Sequence, residues 1–214
     1  LSGNIPTIIN GTSQTIVSRH KLQPGNALAE TYIKQKLQSY GLTTTVQSFS
    51  TTGKNVYGVQ TGTEFPNKKY IICAHFDDMP TGTTAPGADD NGSGTAAVIE
   101  AARIFSQYSF PFTIVYALWD EEEQGLVGSE YYATQAANAG DSILGVINMD
   151  MIAYDGKGDF NWRDVIPNNK RALNEAENAA VLWDIFDPKG WEYLPKNEQE
   201  SKPTEWPVPL KWYD

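Results

Sequence analysis

The chain has 214 residues, with 26 acidic against 16 basic side chains and a formal net charge of −10. This length suits one domain with a sizeable core, and the negative charge disfavours nucleic acid and anionic membrane surfaces as partners. No apolar run reaches the roughly 20 residues that a transmembrane helix needs. The single cysteine, Cys73, excludes an internal disulfide.

The first predicted helix follows an irregular start and runs from Asn26 to Tyr40. We expect Asn26 to be its N-cap and Gly41 to follow its last turn. His20, in the turn before this helix, is one of two histidines. A polar turn histidine is more often at the surface or hydrogen-bonded than a metal ligand, so we predict no ligation there.

The strands predicted next define the fold class. Residues 43–50 and 55–61 are rich in β-branched and aromatic residues and favour an antiparallel hairpin at a sheet edge. Continuous apolar runs at 70–75, 112–118 and 143–149 favour strands buried on both faces. The sequence therefore predicts an α/β fold with three layers, α/β/α, around a central mixed, largely parallel sheet.

Helical patterns separate the three buried strands, as parallel connections require. The first covers Gly94 to Ser106, and the second covers Gly128 to Asn138 with Ser129 as its expected cap. We predict that residues 1–160 form this α/β core. Residues 161–214, which hold five of the six tryptophans and several prolines, form an atypical segment that packs on the domain, binds a partner or stays partly disordered.

Metal-binding residue types follow each buried strand. His75 ends the first, four consecutive acids from Asp120 follow the second, and Asp150 follows the third. The carboxyl ends of parallel strands meet at one edge of a sheet, and crowded carboxylates raise each other's pKa unless a cation is bound. Solvated loop acids are the alternative, but acids and an imidazole at three strand ends favour a metal site.

Two further acidic features support this site. Asp77 can hydrogen-bond the second imidazole nitrogen of His75 and fix its tautomer. The pair Asp89-Asp90 precedes the predicted helix at Gly94; such acids can simply cap a helix, but the histidine upstream favours metal ligation.

Four motifs carry a resemblance to a known family: His75-Phe-Asp-Asp, Pro86-Gly-Ala-Asp-Asp-Asn-Gly-Ser-Gly94, Glu122-Glu-Gln-Gly-Leu-Val-Gly-Ser129 and Asn148-Met-Asp-Met151. In type, order and spacing they resemble those of the co-catalytic zinc aminopeptidases of the secreted bacterial leucyl-aminopeptidase type. Relatives of that family include glutaminyl cyclases, glutamate carboxypeptidases and transferrin receptors. The resemblance covers about residues 19–156.

The resemblance implies a role for each matching residue. His75 and Asp150 would hold one zinc ion, Asp89 would bridge two ions, and Glu123 would hold the second. Glu122 would be the general base that takes a proton from a water and passes it to the leaving amine. The family also tends to have a cis peptide bond between the two acids of the Asp89-Asp90 pair, and Asp77 would orient the histidine as a catalytic support.

One expected ligand has no counterpart. Two-zinc members of the family take a fifth ligand, a histidine, from far downstream, whereas this chain has no histidine after His75. Either the last quarter of the chain is truncated or altered, or an acid such as Asp155 or Asp187 substitutes, or the protein keeps one metal ion.

We therefore predict a zinc-dependent aminopeptidase that acts on peptides. Two alternatives stay open: a non-catalytic binding module on the same fold, and a single-zinc aminoacyltransferase like the glutaminyl cyclases, although residues 125–129 look more peptidase-like. The chain begins at Leu1 with neither a methionine nor a basic leader, which is typical of a mature secreted or periplasmic product.

Overall fold

The computed structural model describes residues 1, 3, 5–79 and 85–153. The segment 161–214 and the candidate ligands Asp155 and Asp187 lie outside these residues. The elements, in chain order, are β1 (Thr7–Ile9), β2 (Thr12–Gln14), α1 (Pro24–Ser39), β3 (Thr43–Ser48), β4 (Lys54–Gln60), β5 (Phe65–His75), α2 (Gly92–Phe105), β6 (Phe112–Trp119), α3 (Val127–Ala139) and β7 (Ser142–Asn148). None of the helices described is both long and apolar enough to cross a bilayer.

The main sheet has five strands in the order β3-β4-β6-β5-β7. β5 lies at its parallel centre, paired with β6 on one side and β7 on the other. β3 and β4 form the antiparallel hairpin predicted at the edge, and β4 joins it to β6. The mixed sheet with a parallel centre is thereby confirmed, and its parallel strands end along one edge.

Helices cover both faces of this sheet. Neighbouring side chains of a strand point to opposite faces, so Ile72 and Ala74 of β5 pack into the cluster formed with α1 and α2. Ile71 and Cys73 pack into the cluster formed with α3 instead. The predicted three-layer architecture is confirmed, and residues 71–75 of β5 are buried on both sides as their apolar sequence indicates. The prediction that the third strand is buried on both faces was wrong, because β7 lies at the end of the described strand order and its residues alternate between exposed and half-buried.

The helix starts differ from the predicted caps. α1 begins at Pro24, and Asn26 lies inside its first turn; the Asn26 amide donates to the Arg19 carbonyl at 2.9 Å and to Asp120 Oδ1 at 2.8 Å. Ser129 is likewise inside α3, which starts after Leu126 without a side-chain cap. Both cap assignments were wrong, because Asn26 makes tertiary contacts and proline is well suited to the first position of a helix.

The end of α1 follows the prediction. Gly41 adopts a positive φ of 79°, and its N–H donates to the Gln38 carbonyl while the Leu42 N–H donates to the Leu37 carbonyl. This pair of hydrogen bonds is a Schellman motif, which satisfies the last helical carbonyls.

The irregular start contains a short hairpin that the prediction missed. β1 and β2 pair in antiparallel register around Asn10-Gly11, and both turn residues have positive φ values, 50° and 76°. Asn-Gly is the sequence that favours a two-residue hairpin turn of this kind, so the signal was present in the sequence.

Candidate metal centre

The site forms where β5, β6 and β7 end at the same edge of the sheet. The ladder extends one step beyond the strands: the Phe76 N–H donates to the Trp119 carbonyl, and the Met149 N–H donates to the Cys73 carbonyl. On the helix side, the Thr95 hydroxyl of α2 donates to the His75 carbonyl at 2.7 Å. These backbone contacts fix the points from which the polar side chains extend.

His75 Nε2 faces three carboxylates. Asp90 Oδ1 lies at 3.3 Å, Asp150 Oδ1 at 3.6 Å and Glu122 Oε2 at 3.8 Å. The imidazole is 4% exposed, whereas the three acids are 28–48% exposed. One nitrogen can satisfy one acceptor, so this crowding of negative charge around a single imidazole favours a bound cation.

The donor set fits zinc. Ligand atoms of His75, Asp90 and Asp150 all lie within 4.8 Å of one another, close enough to share one ion after small side-chain movements. An imidazole nitrogen and carboxylate oxygens are ordinary zinc ligands, and three protein ligands are the usual number at a zinc ion that keeps a position for water or substrate.

The pKa shifts reflect the same crowding. Burial lowers the pKa of His75, but Asp77, Glu122 and Asp150 outweigh it and raise that pKa to about 9. Burial, together with neighbouring acids, raises the pKa of Glu122 and of Asp150. A cation at His75 Nε2 would reverse these effects, since it favours the neutral imidazole and the charged carboxylates.

Asp77 lies between the histidine and the loop that follows β6. Its side chain is buried, and Oδ1 lies 3.4 Å from His75 Nδ1, on the side of the ring away from the three acids. The carboxylate also accepts hydrogen bonds from the Glu122 N–H at 3.1 Å and the Glu123 N–H at 3.2 Å. One carboxylate therefore lies beside the imidazole and holds the loop that carries both glutamates. Its role in orienting the histidine stays a prediction.

Asp89 lies outside the group of ligand atoms around the imidazole, although its charge acts on Asp150. Its Oδ1 accepts hydrogen bonds from the Ala153 N–H at 2.9 Å and the Ser93 hydroxyl at 3.3 Å. Among the residues described, the group around the imidazole contains Asp90 and Asp150. The structure thus brings Asp90 to the position expected for Asp89, and the cis peptide bond is also one residue later, between Asp90 and Asn91. Successive side chains diverge, and the sequence did not indicate which acid faces the histidine.

Glu123 lies close enough to interact electrostatically with Asp90. Burial, followed by the charge of Asp90, raises the pKa of Glu123 to about 7. Its predicted role as a ligand of a second ion stays a prediction.

His20 was expected either at the surface or in a hydrogen bond. It is buried, and its Nδ1 accepts a hydrogen bond from the Leu22 N–H at 3.2 Å.

The loop before Asp90 is anchored by Arg19. Its guanidinium donates to the Gly87 carbonyl at 2.7 Å and to the Phe76 carbonyl at 2.6 Å, and it pairs with Asp78 at 3.4 Å with both side chains fully buried. The sequence reasoning missed this residue. A lone arginine in an irregular segment carries no signal that it will be buried.

Comparison with known proteins places these residues in a family. Residues 55–202, more than half of the chain, match the profile of Peptidase family M28. The chain belongs to that family. The suspected kinship with zinc exopeptidases is thereby confirmed.

Two curated relatives and one solved structure illustrate the similarity. A "Probable zinc metalloprotease" of Pyrenophora teres f. teres is 31% identical over 175 residues, which cover 72% of this chain and 36% of that protein. "Leupeptin-inactivating enzyme 1" of Streptomyces exfoliatus is 37% identical over 139 residues, which cover 62% of this chain and 31% of that protein. The chain thus spans about a third of the length of these relatives.

The solved structure shows the shared fold. A glutaminyl cyclase of Bacteroides thetaiotaomicron, bound to N-acetylhistamine, superposes with a TM-score of 0.56 at 21% identity, covering 64% of this chain and 57% of that one. At this identity the likeness concerns the fold alone.

Proposed function

We propose that this chain is the metal-binding part of a zinc-dependent aminopeptidase that hydrolyses N-terminal residues from peptides. The observation that carries the proposal is the convergence of Asp90, Asp150 and Glu122 on His75 Nε2, within 3.8 Å. Membership of Peptidase family M28 and the zinc metalloprotease names of the relatives support both the metal and the peptide substrate.

His75, Asp90 and Asp150 would hold zinc. Asp90 would take the role that the family resemblance implied for Asp89, and Glu123, whose pKa responds to the charge of Asp90, would hold a second ion if one binds. Bound zinc would lower the pKa of water and polarise the scissile carbonyl. The buried Asp77 keeps the Nε2 face of the imidazole turned towards the metal by its position beside Nδ1.

Glu122 suits the role of general base. Its Oε2 lies 3.8 Å from His75 Nε2, its backbone N–H is held by Asp77, and its side chain is partly exposed towards the open side of the site. A carboxylate that lies beside the metal without being one of its ligands is free to accept a proton. It would take a proton from the attacking water and deliver it to the leaving amine.

The test of this proposal combines zinc content with hydrolysis. The protein should release the chromophore from a leucine anilide, and a chelator should stop that release. Glu122→Gln should abolish hydrolysis and keep bound zinc nearly unchanged, because the residue acts on the proton and not on the metal. Glu130→Gln, an exposed acid in the first turn of α3, is the matched control and should behave as the parent protein.

The outcomes separate the alternatives. Release that is insensitive to chelator counts against a metallopeptidase, and a protein that stays metal-free in excess zinc favours a non-catalytic binding module. Cyclisation of N-terminal glutamine without anilide hydrolysis favours the glutaminyl-cyclase-like reaction, whose fold the chain shares. Loss of zinc in Glu122→Gln would reassign that residue as a ligand.

We also propose a secreted or periplasmic location. Its support is the motif resemblance to the secreted bacterial leucyl aminopeptidases, and the net charge of −10 supports the absence of a nucleic-acid or anionic-membrane partner. Fractionation of the producing cells tests the location, and recovery of the protein in the cytosol would refute it.

A further inference from the structure

The residues around Asp90 hold the segment around Asp150 through three hydrogen bonds. The Asn91 side-chain amide donates to the Met149 carbonyl at 2.9 Å. The Ile152 N–H donates to the Ser93 hydroxyl at 3.1 Å, and the Ala153 N–H donates to Asp89 Oδ1 at 2.9 Å. The three side chains, Asp89, Asn91 and Ser93, are called the clasp below.

Two residues of the clasp flank the candidate ligand Asp90 in the sequence. Asp89 and Asn91 contact the segment after β7, whereas Asp90 between them contacts His75. The contacts on the other segment also fall on both sides of Asp150, at residue 149 before it and at residues 152 and 153 after it. The loop that carries Asp90 is therefore hydrogen-bonded to the backbone on both sides of Asp150.

The segment after β7 needs such support. β7 ends at Asn148, and the last ladder bond described there is from the Met149 N–H to the Cys73 carbonyl. Met149, before Asp150, packs against the core cluster, but Met151 is 55% exposed and Ile152 is 44% exposed, so apolar packing supports Asp150 from one side only. The clasp supplies the polar contacts that packing does not.

We propose that Asp89, Asn91 and Ser93 are positioning residues that hold Asp150 beside Asp90 and so set the affinity of the metal site. The inference rests on the proposed function, in which His75, Asp90 and Asp150 bind zinc. It gives Asp89 a role different from the ligand that the sequence indicated: its carboxylate oxygen is used as a hydrogen-bond acceptor. An amide oxygen can accept the same bonds, whereas it replaces an anionic zinc ligand poorly.

Asn91 and Ser93 provide independent tests of the clasp. Asn91 has two functions, because its Oδ1 also accepts from the Gly94 N–H at 2.8 Å and caps α2. Asn91→Ser keeps a capping oxygen but is too short to donate to the Met149 carbonyl. Ser93→Ala removes the acceptor for the Ile152 N–H. Ser106→Ala, at the other end of the same helix, is the matched control.

The experiment measures the Kd for zinc by competition with a chromophoric chelator, using the protein in its full natural length. Asp90→Asn should lose zinc. Asp89→Asn should stay within about threefold of the parent Kd, whereas Asp89→Ala, Asn91→Ser and Ser93→Ala should each weaken binding by about 10–100-fold, the usual effect of removing an outer-shell partner. If Asp89→Asn binds zinc more tightly than Asp89→Ala, the side chain at this position acts as a hydrogen-bond acceptor and not as a zinc ligand.

Each outcome decides one question. If Asp89→Asn loses zinc as Asp90→Asn does, Asp89 is a ligand and the inference is overturned. If Asn91→Ser and Ser93→Ala both bind zinc as tightly as Ser106→Ala, the clasp does not set the affinity, while the zinc centre itself stands. If the unmodified protein binds no zinc, the proposed function fails and the inference with it.

Discussion

Replacing Arg19 by methionine tests how the loop before Asp90 is held. The guanidinium is fully buried against Asp78, and it donates to the Phe76, Pro86 and Gly87 carbonyls. Methionine fills much of the same space without charge or donors, so the variant removes these polar contacts and leaves a buried carboxylate.

The expected cost follows from the burial of Asp78. Removing one partner of a buried ion pair costs about 3–5 kcal/mol, because the other charge stays without compensation. After the substitution, Asp78 keeps the Arg19 backbone N–H at 2.9 Å and the Ser18 hydroxyl at 3.3 Å, which places the cost towards the lower end of that range. Adding Asp78→Asn removes the uncompensated charge, so the double variant should cost less than the sum of the single variants by about 0.5–3 kcal/mol.

Urea unfolding followed by far-UV circular dichroism, in the presence of chelator, gives the free energy of unfolding of each variant without a contribution from bound metal. Arg103→Met is the matched control, because Arg103 pairs with Glu100 on the exposed face of α2 and should change stability little. A loss below about 1 kcal/mol for Arg19→Met, or strictly additive single variants, would refute the reasoning.

Three further predictions concern the metal, the packing and the pH dependence. Excess zinc should raise the free energy of unfolding by about 2.7 kcal/mol at about 100 times its Kd; calorimetry with and without chelator measures this, and His75→Ala should abolish the difference. Gly128→Ala should destabilise the fold by about 1–3 kcal/mol, because a Cβ would collide with the Asp120 carbonyl, whereas its neighbour variant Ser129→Ala should unfold nearly as the parent does. Burial raises the pKa of Asp120 to about 7, so between about pH 4 and pH 7 the folded state keeps a proton that the unfolded state releases, and stability falls as the pH rises. The free energy of unfolding should therefore fall relative to that of Asp120→Asn by up to about 1.4 kcal/mol per pH unit; a difference constant over that range contradicts the prediction.

The sequence predicted the fold where burial dictates the residue types. Residues 71–74 of β5 and most of β6 are buried on both faces, and a strand covered by helices on both sides allows little but apolar residues. The first polar residue after such a run marks the point where the strand leaves the core, and His75 lies at that point. Asp150 follows β7, which is not buried on both faces, so burial alone does not mark its position.

Two differences from the prediction come from tertiary hydrogen bonding by short polar side chains. Asn26 has the residue type of a helix cap, but α1 starts two residues before it and its amide donates to Asp120. Asp89 and Asp90 are identical in type, yet one accepts from the backbone of a distant segment and the other faces His75. Spacing along the chain does not encode these partners, because they come from other strands and loops.

The residues of the candidate metal centre differ in how deeply they are buried. His75 and Asp77 are almost completely buried and are tied to the strands and the β6 loop, so their positions are set by the fold. The acids that face Nε2 stay 28–48% exposed, which leaves a path for an ion and a peptide but gives these side chains weak packing. An exposed acid on a loop gains a defined position only through hydrogen bonds. The site therefore needs its supporting polar contacts most where solvent access is greatest, and Asn91, which donates to the Met149 carbonyl beside Asp150, is one of the residues that provide them.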